Sequence, residues 1–404
     1  MYATVRWVMA DRTADAIVIG GGVNGTSVAF HLARAGLKGV VLLERWHLGA
    51  GATGKSGALV RMHYSNEPET RLAFESLTYF QNWADIVGGD CDFRQVGTLV
   101  FAAPHHRKHL EANLAIQQRV GVNSRMVTAE EAREIDPAVH VAEGEAVAWE
   151  PESGYADPNA TTFAFARAAI DMGVDVREET RALEILVEGG RVTGVRTESG
   201  IILAPRVVVV AGAWANQLLE PLGIDLGLFP RQSRIAIFRW PMDRPMGHPT
   251  FIDHAHHTWG RPIDGNCTLG GAEMGSPVLV DPEDYPEAVT QDYIDVTREQ
   301  LAMRIPSIRR STVRGNWACA LMGSPDSRPL IGALEQYDGL YCMAGDSGTS
   351  FKTAPAIGKS LSELILEGRA ATVDLTPFRP SRFAEGRPWV DDHDYDLVDA
   401  SVSR

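Results

Sequence analysis

Residues 16–27, Ala-Ile-Val-Ile-Gly-Gly-Gly-Val-Asn-Gly-Thr-Ser, constrain this chain more than any other stretch. Ala16 to Ile19 are four apolar residues and read as a buried strand. Gly20, Gly22 and Gly25 then form G-x-G-x-x-G, and residues 26–35 read as a helix. The spacing has a physical reason. Gly20 allows a tight strand-to-helix turn, and Gly22 lets the backbone approach a pyrophosphate. Gly25 lets the helix pack on the strand, so that its N-terminus faces the anion. Val23 and Asn24 lie inside the motif and share that position. A second apolar run at 40–43 ends in Glu44-Arg45, where the motif calls for a carboxylate to accept a ribose hydroxyl. A purely structural βαβ unit would not need all these parts in this order.

The loop that follows, residues 49–57, carries Gly54, Lys55, Ser56 and Gly57 among four glycines. Its free backbone N–H groups are the next a bound dinucleotide would meet. Further on, the sequence predicts helices over 67–86, 105–119, 129–135, 159–172, 288–305 and 354–367. It predicts strands over 95–102, 175–177, 182–188, 192–199, 206–210, 232–240 and 340–344. An aromatic-rich hairpin is expected over 254–271 and a loop over 317–329. Four consecutive valines, 207–210, feed Ala211-Gly212-Ala213-Trp214, as expected of a strand returning to the nucleotide sheet. A second glycine cluster, Gly345-Asp346-Ser347-Gly348-Thr349-Ser350-Phe351-Lys352, precedes the last helix. The expected organisation is mixed α/β: a discontinuous Rossmann-like dinucleotide domain over 15–60, 150–215 and 325–370, and a β-rich second domain over 61–149 and 216–324. A tail over 371–404 should wrap the surface, and the ligand should lie between the domains.

Composition narrows the function. The 404 residues carry a net charge of −14, which argues against nucleic acid and anionic membranes as partners. Cys91, Cys267, Cys319 and Cys342 are widely spaced without C-x-x-C, which suggests reduced thiols in a cytoplasm. No apolar run approaches the roughly 18 residues of a spanning helix. The first 14 residues lack a signal-peptide core and read as a loose extension.

These motifs resemble the D-amino-acid-oxidase superfamily of flavoproteins, in particular its sarcosine-oxidase and N-methyl-amino-acid-oxidase branch. The resemblance covers nearly the whole chain. It rests on the glycine fingerprint, the 49–57 loop, the 208–214 run, Ser324-Pro325-Asp326 with Pro329-Leu330-Ile331-Gly332, and the 345–352 cluster followed by Pro355. It implies FAD, with the pyrophosphate on Gly20 to Gly25. The late cluster would face the flavin, where backbone N–H groups and the last helix would stabilise negative charge on the reduced ring. It implies Arg61 and Lys352 as the pair holding a substrate carboxylate; Arg offers a fork and Lys a point charge. Trp259, in Trp-Gly-Arg-Pro, would roof the site, with His63 and Tyr64 as further pocket residues. The implied reaction is oxidation of the C–N bond of a small secondary or N-methylated amino acid. Hydride passes to flavin N5, the imine hydrolyses, and no protein base is assigned.

Two departures from the family pattern bear on the chemistry. Relatives that react well with oxygen carry a Lys in the strand matching 267–271, where this chain offers Thr268 or Gly270. Electrons could therefore pass to oxygen or to another acceptor, including within a hetero-oligomer. Monomeric relatives attach FAD through a Cys seven residues before the loop Asp, and Cys319 stands seven before Asp326; the alternative is an ordinary core cysteine. His254, His256 and His257 lack an acidic or Cys ligand at metal spacing, so no metal is expected. An NAD enzyme would have no use for the late glycine cluster. A flavin-holding subunit without turnover would have none for Arg61 and Lys352.

Overall fold

In the computed structural model, residues 12–242, 247–391 and 393–395 are described. Most of the expected N-terminal extension and the end of the tail lie outside them. The strand Ala16–Ile19 sits inside a six-stranded sheet ordered Leu330–Ala333, Leu340–Ala344, Val207–Val209, Ala16–Ile19, Val40–Leu43 and Asp175–Arg177. All its pairings are parallel except that of Leu330–Ala333 with its neighbour. Strand alternation sorts the residues between two cores. Ala16, Val18, Val40 and Leu42 pack under the helices Val23–Arg34, Pro158–Asp171 and Ala354–Glu367. Ile17, Ile19, Val41 and Leu43 pack with Ile185, Val195 and Ile202 of a four-stranded sheet formed by Arg12–Thr13, Ala182–Glu188, Arg191–Thr197 and Gly200–Leu203.

The second large sheet has eight strands, ordered Thr312–Gly323, Phe229–Arg239, Cys267–Ala272, Thr258–Ile263, Thr250–Asp253, Thr98–Ala102, Ala146–Glu150 and Arg125–Val127. Its two faces are also distinct. Ala236, Phe238, Phe251 and Phe101 pack beneath the helix Gln291–Arg304. Ile235, Ile252, Trp259 and Leu269 face the opposite way.

Several elements differ from the sequence expectation. The expected loop at 317–329 begins inside a long strand, Thr312–Gly323, which pairs along its whole length with Phe229–Arg239. Gly315, Asn316 and Gly323 hide a strand whose stability comes from its partner, not its composition. The helix expected over 67–86 breaks at Asn82, whose side chain bonds back to Thr78 O at 2.9 Å, and resumes at Trp83–Ile86. The helix expected over 288–305 starts only at Gln291, where the Thr290 hydroxyl caps it. The short strand Gly200–Leu203 was not expected. The tail does more than wrap the surface: Phe378, Arg382 and Tyr395 are buried, because Arg382 is paired with Asp326 and Tyr395 is bonded inside the fold. Among the described residues no helix is long and apolar enough to cross a membrane.

Candidate active site

A cavity of about 320 Å³ opens between the strand ends of the six-stranded sheet and the Ile235–Trp259 face of the eight-stranded one. Its nucleotide-like end is built by the fingerprint. Gly20 has φ +117°, and a Cβ there would lie 2.3 Å from Val210 O. A Cβ on Gly25 would lie 1.9 Å from Gly20 O, so only glycine lets the helix start rest on the turn. The helix Val23–Arg34 begins at Gly22 with no side-chain cap, which leaves its positive end available to an anion. Glu44 closes the next strand, and its carboxylate accepts the Gly21 N–H at 2.7 Å and the Trp46 N–H at 2.9 Å.

Among the described residues, Asn24 Oδ1 and Arg45 Nη2 are buried here without a hydrogen-bond partner. Both residues line the cavity. Asn24 Nδ2 donates to Ser350 Oγ at 2.8 Å, and Ser350 donates to Asp346, which ties the early glycine cluster to the late one. The Arg45 guanidinium lies 3.7 Å from the Trp46 ring and 4.0 Å from the Trp214 ring, and pairs with Glu283. A glycine cradle, an uncapped helix and orphaned polar atoms facing one cavity fit a dinucleotide cofactor.

The opposite end is cationic. Arg61 follows the strand Leu59–Val60, and Lys352 lies in the turn Phe351–Thr353 after the late glycine cluster. They are 3% and 6% exposed, and both line the cavity. Tyr64 joins them: the Arg61 guanidinium carbon lies 5.2 Å from its ring centroid and Lys352 Nζ 4.9 Å. Arg61 donates to His63 O, and Lys352 donates to Thr349 O at 2.9 Å. Among the described residues neither has a carboxylate within ion-pair distance. Burial, and next the neighbouring Arg61 charge, hold the Lys352 ammonium well below the usual lysine range.

The cavity wall includes Gly20, Gly22, Val23, Asn24, Gly25, Glu44, Arg45, Lys55, Ser56, Gly57, Ala211, Gly212, Trp214, Trp259, Cys319, Gly345, Asp346, Gly348, Thr349 and Ser350. Three expected residues, Gly54, His63 and Tyr64, are not in that wall; Tyr64 lies behind it, with its ring beside Arg61 and Lys352. Gly54 is packed inside its loop, donating to Gly49 O at 2.9 Å. His63 points away from the cavity; Gln117 Nε2 donates to its Nδ1 at 2.6 Å and its Nε2 donates to Tyr395 Oη at 3.0 Å. Trp259 packs over Gly57, where a Cβ would lie 2.3 Å from its ring.

Strand parity corrects the expectation at 267–271. Gly271 is in register with Trp259, and a Cβ on it would lie 2.9 Å from Trp259 Nε1, so Gly271 is on the cavity-facing side. Thr268 turns away and bonds Trp240 Nε1 at 2.8 Å and His248 Nε2 at 3.0 Å. A Cβ on Gly270 would meet Leu301 of the covering helix at 3.1 Å. The histidines at 254–257 stand in a turn, so strand alternation does not align them. His256 bonds Asp253 at 2.9 Å and His257 bonds Glu273 at 3.2 Å. Among the described residues no group of three His, Cys, Asp or Glu side chains is placed to hold a metal.

One buried residue escaped the sequence reading. Glu150 is fully buried behind Arg61, its Oε2 accepting from Met62 N at 3.0 Å and Ser153 Oγ at 2.7 Å, and its Oε1 is without a partner. Burial raises its carboxyl pKa, against the pull of these two hydrogen bonds and of the nearby Arg61 and Lys352 charges. A lone Glu ending an apolar strand is the only trace it leaves in the sequence.

Residues 15–364 match the family described as FAD dependent oxidoreductase (DAO). The chain is 29% identical to the peroxisomal sarcosine oxidase of Homo sapiens, over 91% of this chain and 96% of that protein. It is 25% identical to the mitochondrial pyruvate dehydrogenase phosphatase regulatory subunit of Mus musculus, over 88% of this chain but only 42% of that protein. The chain thus spans less than half the length of some relatives. Among solved structures, the L-proline dehydrogenase of P. horikoshii superposes with a TM-score of 0.86 at 28% identity, covering 94% of this chain and all of that one.

Proposed function

From the premise that this chain belongs to the FAD-dependent oxidoreductase family, we propose that it oxidises the C–N bond of a small amino acid, a secondary or N-methylated amine by preference. The observation that carries this reading is the pair of buried cations, Arg61 and Lys352, that line one end of the cavity, both beside the Tyr64 ring. Two buried cations are costly to hold without an anion, and a substrate carboxylate would offset that cost. Two of the relatives are named for small amino acids with a secondary amine, sarcosine and L-proline, which supports this substrate class.

FAD, when bound, takes up the hydride from the carbon beside nitrogen. The chain's own residues do the rest. Gly20 to Gly25, Glu44, Arg45 and the 345–350 cluster would hold the cofactor. Arg61 would meet the carboxylate with two N–H groups and Lys352 with one, fixing the reacting carbon. Trp259 would close the cavity and exclude water. We read 15–60, 150–215 and 325–370 as the cofactor-holding unit, and 61–149 with 216–324 as the unit that shapes the substrate end.

A second reading concerns the electron acceptor. Gly271, where a cation could face the cavity from this strand, has no side chain, and nearby Lys55 is engaged by Glu287 at 2.7 Å. That favours an acceptor other than oxygen, which a partner subunit would be one way to supply; one relative is named as a subunit, sarcosine oxidase subunit beta. Action in a cytoplasm on free amino acids fits the scattered buried thiols. Purified protein that is yellow and releases FAD, and is bleached anaerobically by an amino acid, supports the reading. Correctly folded protein that cannot be reconstituted with FAD overturns it.

A further inference from the structure

We propose that Tyr395, supplied by the C-terminal tail, is a positioning residue that sets the orientation of Arg61 through His63. The inference rests on the reading that Arg61 holds the substrate carboxylate. Arg61 donates to the backbone oxygen of His63, so the guanidinium can aim only as well as residue 63 is placed. His63 is 1% exposed and held at both ring nitrogens, by Gln117 on one side and Tyr395 on the other. Those partners select the neutral ring with its proton on Nε2, and burial together with the Arg61 charge lowers its pKa to about 3.

Tyr395 is fixed independently of the site. Asn113 Nδ2 also donates to its hydroxyl, at 3.1 Å. Its ring stacks on His254 at 3.8 Å and 17°, and among the described residues neither His254 nitrogen has a hydrogen-bond partner, so His254 meets it as a flat face. The tail before Tyr395 is anchored three times over. Trp389 N–H bonds Asp326 at 2.9 Å, and Asp391 pairs with Arg328. His109 Nδ1 lies 2.7 Å from Asp394 O. The tail therefore reaches across the fold to brace the segment that carries Arg61.

The test is a double-mutant cycle read by titrating the flavin absorbance of the holoenzyme with acetate, a carboxylate with no C–N bond to oxidise. Arg61→Ala alone should weaken acetate binding; if it does not, the carboxylate reading fails. Tyr395→Phe keeps the ring but removes the hydroxyl's bonds to both His63 and Asn113; through the lost His63 bond it should weaken acetate about fivefold to tenfold. FAD content should be unchanged, and KM for an amino acid should rise more than kcat falls. In the Arg61→Ala background Tyr395→Phe should have no further effect. Equal, additive losses in both backgrounds, or unchanged acetate affinity in Tyr395→Phe, would overturn the inference. Tyr395→Leu, which also removes the stacked ring, should show the same non-additivity with a larger loss.

Discussion

Arg61 and Lys352 share one tyrosine ring at the end of a cavity and have no carboxylate at ion-pair distance among the described residues. Removing one charged partner in such a desolvated site costs about 2–5 kcal/mol. Arg61→Ala and Lys352→Ala should therefore each lower kcat/KM for an amino acid by about 30-fold to 5000-fold, with FAD retained. Lys352→Arg should not fully rescue, since a planar fork does not replace a point charge. The pH dependence has a definite sign. Lys352 must be an ammonium to hold a carboxylate, and burial depresses its pKa. Free-enzyme kcat/KM should therefore fall as pH rises through that depressed value, below the usual lysine range. In Lys352→Arg this limb should vanish; a limb that persists unchanged belongs to another group. Arg61 and Lys352 were singled out by the family resemblance at positions after the two glycine-rich loops; taken alone, each reads as an ordinary surface charge. Glu150 and Tyr395 were not singled out, since only tertiary packing brings residues so far apart in the chain to the Arg61 segment.

At the scale of elements, the fingerprint strand, turn and helix were readable because glycine spacing leaves the backbone few options. Strands with mixed composition were not. Residues 317–323 of the strand Thr312–Gly323 read as a loop until their partner Phe229–Arg239 is in place. The side of Cys267–Ala272 that faces the cavity follows from its register with Thr258–Ile263, which no local pattern reveals. That register puts Gly271 toward the cavity and Thr268 and Gly270 away from it. With no cation on this face of the strand, reduced enzyme should reoxidise more slowly in air than with an artificial acceptor. Stopped-flow reoxidation checks this, and equal rates would mean that another cation serves oxygen. Cys319 also follows from strand position: it pairs in register with Ser233, and both line the cavity. Burial pushes its thiol up to about 12, so the nucleophilic thiolate is disfavoured. Acid precipitation should release the flavin into the supernatant. Flavin retained in the pellet would instead assign Cys319 as its attachment point.

Across the whole molecule, two sheets of different character meet at one cavity. The six-stranded sheet is parallel apart from one edge strand and is covered on both faces, which fits its unbroken apolar strands. The eight-stranded sheet contributes one face to a helix-covered core and the other to the cavity. The glycine-lined end was legible because phosphate binding imposes a local motif; the cationic end was reached only through the family resemblance, which points to Arg61 and Lys352. Anaerobic bleaching of the flavin, with sarcosine set against dimethylamine and L-proline against pyrrolidine, tests whether the cavity holds a substrate carboxylate. The wild type should reduce its flavin with one or both amino acids at least about 100-fold faster than with the matching amine, the scale of one lost charged contact of ~3 kcal/mol. The Arg61→Ala, Lys352→Ala double variant should lose most of that preference. Equal rates with acid and amine in the wild type would contradict the carboxylate-holding site, and with it the proposed substrate class.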